Sequence, residues 1–322
     1  LTLGVGMMAT PPVAQAQSSS SSIVDEAGSS VNLGSEMGEV PERDAPVYRS
    51  GLPDVEPQGE PGTVLAEVPL DVNVGLSSAS EQYRIAYTTV DQHGKPAVST
   101  GAVYLPEGGW PVLAWAHGTV GQSDECAPSI NPLWPVEEEY LNTFLDEGYA
   151  IVATDYVGLD SPGFHSYLNG KVAAENVVDS VAAAHQMDAT TDTEPVLADE
   201  WAVIGQSQGG GVALHVAHRA TELSEDLEFD YRGGVATGAP AYVENLLLTF
   251  GPSFPPMPLP EIMGTYMLYV LASVYEANPD IDFDSALTDE GRRMIAASEQ
   301  SCLFEVGEAV SYTHLTLPTN RE

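Results

Sequence analysis

Apolar and polar positions repeat with two different periods along this chain, and the switch between them places its elements. EQYRIAYTTV (81–90) and AVSTGAVYLP (97–106) alternate as strands. The DQHGKP between them carries Gly94 and Pro96, residue types that turn a chain, so the pair is predicted as an antiparallel hairpin. PVLAWAHG (111–118) and AIVATDY (150–156) are short and almost wholly apolar, as suits parallel strands covered on both faces. Between them Pro135 fits a first helical turn, Glu137, Glu138 and Glu139 sit where the helix dipole favours negative charge, and Gly148 stops the helix.

The alternation of types continues downstream. KVAAENVVDSVAAAHQM (171–187) has helical spacing, with Val178, Val181, Ala182 and His185 on one face. EWAVIGQS is predicted as a strand, QGGGVALHVAHRA as a helix and YRGGVATGA as another strand. Strands alternating with helices of this length specify a mostly parallel sheet with helices on both faces. From Pro240 the pattern changes to a proline-rich hinge and apolar helices, which reads as an inserted helical cap over 241–310. MGTYMLYVLASVY (263–275) is apolar on too many sides for a lone surface helix, and so needs cover from the core, a partner or a lipid-like ligand.

Candidate chemistry lies at the strand-to-helix junction. Gly205-Gln206-Ser207-Gln208-Gly209 matches G-x-S-x-G, between a buried strand and a helix. A strand turning sharply into a helix holds the serine hydroxyl above the sheet, and the helix N-terminus adds positive potential where an oxyanion forms. Ser207 is therefore the candidate nucleophile. The backbone N–H of Gln208 is one candidate oxyanion donor, and Thr119 or Gly118, in the HGTVG loop, the second. His117 is expected to hydrogen-bond that loop and not to act in catalysis. Asp155, Asp160 and His165 are read as structural, Asp179 as part of a solvated helix face. Trp115 and Trp134 belong either to an acyl pocket or to the core.

HGTVGQSDECAPS, DYVGLDSPGFHSYL and GQSQGGG, in this order and spacing, resemble the secretory lipase family of α/β-hydrolases, as do PGTVLAEVPL and the hairpin. The resemblance covers about residues 60 to 305. It implies an α/β-hydrolase sheet with an N-terminal antiparallel hairpin and a helical cap, hydrolysis of carboxylic esters such as acylglycerols, and a disulfide from Cys126 into the cap at Cys302. In this fold the acid and histidine of the triad follow the serine in the chain, on loops after later strands. His215 and His218 lie on the serine's own helix, and His314 follows the cap too soon. The expectation is a C-terminally truncated enzyme without its last strands, its triad Asp and His absent and its turnover low, exposing an apolar sheet edge.

Composition adjusts this picture at its margins. Forty-seven acidic residues face ten Lys and Arg, a net charge of −37, which repels nucleic acid and anionic membrane surfaces. It fits a solvated acidic surface or adaptation to high salt. The two cysteines form no close metal pair; on their own they read as one disulfide across a long loop or as two thiols. LTLGVGMMATPPVAQAQS contains an A-x-A pattern and reads as the remnant of a signal peptide over 1–16, giving a secreted protein. Residues 17–62 read as a Ser-rich acidic linker, 63–240 as the hydrolase core and 311–322 as a foreign or read-through tail. No run is long enough to span a membrane. DIDFDSALTDE lacks the glycine of a calcium loop, and neither metal nor cofactor is expected. A serine peptidase, an acyltransferase and a non-catalytic acidic surface protein are the competing readings.

Overall fold

The computed structural model describes residues 51–108, 110–190, 197–224, 229–245, 260–283, 285, 287–303 and 305. The expected signal remnant, most of the linker, and the tail with His314 lie outside them. Seven strands form one sheet in the order β1-β2-β3-β5-β4-β6-β7: β1 (Val64–Pro69), β2 (Glu81–Val90), β3 (Pro96–Leu105), β4 (Trp110–Ala116), β5 (Ala150–Thr154), β6 (Leu197–Gln206) and β7 (Asp230–Thr237). β1, β2, β3 and β5 pair antiparallel, while β5, β4, β6 and β7 run parallel. The fold is thus α/β, a mixed sheet with a parallel core and antiparallel N-terminal strands.

The hairpin closes as its residues dictate. Val90 pairs with Pro96, the Asp91 carboxylate accepts the N–H groups of His93 and Lys95, and Gly94 takes φ +72°. Pro96 opens its strand, where its missing N–H costs least.

Side-chain alternation along the parallel strands feeds two cores. Val112, Ala114 and Ala116 of β4 join Val152, Trp201 and Val203 beneath α2 (Gly170–Thr190) and α3 (Gln208–Ser224). Leu113 and Trp115 turn to the opposite face, where Leu141 and Leu145 of α1 (Pro135–Asp146) cover them. This two-sided cover is why these strands are continuously apolar. The hairpin is buried on both faces too. Ile85 and Tyr87 belong to the α2 core, while Ala86 and Val98 pack with Leu52. Residues 51–62, assigned above to the linker by composition, therefore include part of the folded body. Leu52 is buried, and Gly62 N–H donates to Thr88 O.

In the cap region, α4 (Glu261–Ala277) packs Leu268, Tyr269 and Ala272 against Tyr167, Leu303 and Ile295 of α5 (Asp289–Ser298). That contact supplies part of the cover the apolar pattern of α4 demanded; Val274 and Tyr275 remain about two-fifths exposed. A disulfide joins Cys126 to Cys302 with Cα atoms 5.5 Å apart. Around it Leu303 N–H donates to Val120 O and Gln122 N–H to Ser301 O, so the segment after α5 is laid along the 117–122 loop. No described helix is long and apolar enough to cross a membrane.

Candidate active site

Ser207 occupies the single residue between β6 and α3, with φ +58°. A left-handed conformation is costly for any residue with a Cβ and persists only where the surroundings over-determine it. Here they do. Ser207 N–H donates to Thr237 O at the end of β7, and Ser207 O accepts from Gly211 N–H. The flanking glycines admit the turn: a Cβ on Gly205 would stand 2.1 Å from Gly209 O, and one on Gly209 would stand 1.8 Å from Ala116 O. The serine is half-buried and borders a cavity of about 530 Å³.

Gly118 and Thr119 line the same cavity. A Cβ on Gly118 would lie 3.7 Å from Ser207 Cβ, so the 117–122 loop passes directly beside the serine. Gln208 is buried, its amide donating to His165 Nε2 at 3.1 Å. The His165 ring stacks on Tyr156 with centroids 5.9 Å apart. On the other side Thr119 Oγ1 is 2.8 Å from Tyr167 OH. The loop after β5 therefore touches both segments beside Ser207, through His165 and through Tyr167. His117 is buried as well, its ring nitrogens 2.6 Å from Gly118 O and 3.1 Å from Asp155 O.

The base of this loop is a buried polar network. Arg84 pairs with Asp160 at 2.5 Å and donates to Ser129 Oγ, and Ser129 in turn donates to Asp155. Thr100 Oγ1 donates to the same Asp155 carboxylate. Burial pushes Asp160 up to about 6, against the pull of the Arg84 charge.

The secretory lipase profile matches residues 134–314, more than half of the chain. The chain belongs to the secretory lipase family. Its fold is similar to that of Candida antarctica lipase A in its closed state (TM-score 0.65, 15% identity, covering 84% of this chain and 62% of that one). It is also similar to the rice cell wall degrading esterase LipA from Xanthomonas oryzae (TM-score 0.63, 19% identity, 79% and 71% covered). The chain thus spans less than two thirds of the length of the lipase A structure. No curated protein matches the sequence.

The fold brings Ser207, Gly118 and Thr119 to one cavity, and Gln208, the residue after Ser207, is buried. His117, Asp155, Asp160 and His165 lie in the buried framework around them. Of the two tryptophans weighed above, both line the cavity, and Trp115 is also packed in the α1 core. One expectation is corrected. Asp179 is not on a solvated face but 9% exposed, accepting a hydrogen bond from Thr89 at 2.6 Å. Burial pushes its carboxyl up to about 7. Asp179 follows apolar Val178 directly and lies about one turn from Ala182, and only the tertiary fold brings the polar Thr89 of β2 to it.

Two features of the site were missed from sequence. The Gln208–His165 bond spans 43 residues and has no local signal. Glu137 reads as a helix-dipole acid, yet it lines the Ser207 cavity with Trp115, Trp134, Tyr140 and Tyr266. Its carboxylate accepts weakly from Trp134 N–H at 3.4 Å. Burial raises the Glu137 carboxyl above its ordinary range, opposed by the nearby His117 ring and this hydrogen bond. Among the described residues the cavity wall contains no histidine.

Proposed function

We propose that the chain carries the nucleophile and the oxyanion-binding half of a secreted serine ester hydrolase. Ser207 Oγ attacks the carbonyl carbon of a carboxylic ester, and the carbonyl oxygen takes the charge facing Gln208 N–H and a donor from Gly118 or Thr119. Collapse of this intermediate breaks the ester C–O bond, leaves the acyl group on Ser207 and releases the alcohol once its oxygen gains the serine proton. Water then hydrolyses the acyl-enzyme. Acylglycerols are the substrate class that membership of a lipase family supports. The observation that carries the reading is the left-handed Ser207 at the β6–α3 turn, opening on a largely apolar cavity beside the 117–122 loop.

The same reading holds that these 322 residues lack the acid and the histidine of the triad. The cavity wall supports it, since no histidine is among the described residues that line it. Without a base, acylation follows the small alkoxide fraction of the serine. Ser207-dependent release of p-nitrophenol from p-nitrophenyl butyrate is then slow at pH 7 and climbs about tenfold per pH unit up to pH 9. A plateau above neutral pH, lost in Ser207→Ala, would overturn the missing-base part. Equal rates for Ser207→Ala and the parent chain at pH 9 would overturn the nucleophile itself.

A further inference from the structure

Two cavities share one partition. The Ser207 cavity is largely apolar, walled by Val120, Val136, Val235, Leu303, Trp115 and Tyr266 among others. A smaller cavity of about 170 Å³ reaches the Cys126–Cys302 disulfide, Pro128, Pro132 and Leu133. Thr119, Val120, Trp134, Glu137 and Leu303 line both. Of these, Leu303 alone comes from the segment after α5. The others belong to the 117–122 loop or to the start of α1.

Leu303 is held in this place from several directions. Cys302, the residue before it, is bonded to Cys126, and Leu303 N–H donates to Val120 O at 2.8 Å. Tyr269 OH of α4 donates to Ser301 O. Gly121, at φ +142°, permits the close approach, since a Cβ there would stand 2.7 Å from both Cys126 Sγ and Cys302 Cα. The Leu303 side chain is buried in the cluster of Tyr167, Leu268 and Tyr269. A close-packed side chain on a tethered backbone does not swing aside freely.

The smaller cavity suits hydrocarbon. Its polar lining groups have partners elsewhere: the His117 ring nitrogens at backbone oxygens, Thr119 at Tyr167, and the Asn131 amide at Glu125 O and Ala127 O. The Glu137 carboxylate accepts from Trp134 N–H. What faces the space is largely carbon and the disulfide. An apolar cavity of about 150 Å³ is enough to take up a molecule the size of benzene.

We infer that Leu303 is a specificity-determining residue: its side chain ends the hydrocarbon pocket beside Ser207 and sets the longest chain the site accepts. Removing it joins the two cavities and extends the pocket toward the disulfide. The use of this limit in ester hydrolysis rests on the Ser207 reading above; the binding of the chain does not.

A homologous series of neutral ligands reads the limit directly. 1-Butanol, 1-hexanol, 1-octanol, 1-decanol and 1-dodecanol are titrated into the full 322-residue chain carrying Ser207→Ala, with tryptophan fluorescence and ligand-observed NMR as readouts. Affinity is expected to rise up to about fourfold per added methylene and then to level off. Leu303→Ala is expected to move the plateau about two carbons or more toward longer chains, so that the longest alcohol binds about tenfold tighter. Leu303→Phe is expected to move it toward shorter chains. Cys126→Ser with Cys302→Ser frees the segment and is expected to lengthen the accepted chain as well. Thermal melts confirm that each variant folds, and the two Leu303 variants carry the test if the disulfide variant does not. Because Ser207→Ala has no nucleophile, the length limit stands or falls apart from the Ser207 reading. A plateau at the same length in both Leu303 variants, or a change of equal size along the whole series, overturns the inference.

Discussion

The two flanks of the Ser207 turn are built differently. On the flank of the loop after β5, His117, Asp155, Asp160, His165 and Gln208 are each at most 3% exposed, and each is hydrogen-bonded to the backbone or to another buried side chain. On the flank of β7 every residue is half-buried or exposed, and Val235, which lines the cavity, is 54% exposed. Among the described residues β7 pairs with β6 alone. The first flank fixes the backbone around the serine through polar groups that tolerate no loss of a partner. The second offers an open apolar and aromatic wall, shaped for contact and not for rigidity. A residue held in a strained backbone conformation needs the first kind of support, while an open pocket wall can do without it.

The sharpest way to break this contrast is to remove a partner from the buried flank. Arg84→Met strands Asp160 in the core and is expected to cost about 3–5 kcal/mol in urea unfolding. Val235→Ser on the open flank should change the same measurement by less than about 0.5 kcal/mol. Comparable losses would show that the flanks do not differ in this way.

Asp179 gives the next largest effect, through pH. Its folded-state carboxyl is raised to about 7, above the unfolded value, because burial disfavours the anion. The folded protein therefore holds this proton more tightly than the unfolded chain. The stabilising contribution is complete below the unfolded pKa and is lost as pH rises through about 7, a change on the order of 2–4 kcal/mol. Urea melts from pH 5 to 8 should show stability falling with pH, and Asp179→Asn should flatten the slope. A slope unchanged in that variant would assign the dependence to other groups.

A smaller effect tests the strain at Ser207. Ser207→Gly relieves the left-handed conformation and is expected to stabilise the chain by about 0.5–1 kcal/mol, whereas Ser207→Ala gains nothing. A gain from this deliberate loss of the hydroxyl marks strain held for function. Destabilisation by glycine would mean that the φ of +58° carries no penalty here.

Much of the sheet was legible from sequence because its signals are local. The apolar runs of β4 and β5, the Gly94–Pro96 turn and the G-x-S-x-G junction each announce themselves within a few residues. What escaped notice is long-range. Leu52 reads as linker because its environment is polar in sequence, and only Ala86 and Val98 on the far face of the hairpin explain its burial. Asp179 reads as surface because an acid in a helix ordinarily is, until Thr89 arrives from another element. Glu137 satisfies its local role at a helix N-terminus so well that nothing in the sequence marks its second role in the cavity wall. The Cys126–Cys302 pairing came from resemblance to the family, and sequence spacing alone left it open.

The central measurement is covalent. The full chain is incubated at pH 9 with a fluorophosphonate probe and mapped by peptide mass spectrometry. One phosphonyl adduct on Ser207, absent from Ser207→Ala, is the predicted result. An adduct on any other serine, or an unmodified Ser207 at that pH, would contradict its assignment as the nucleophile.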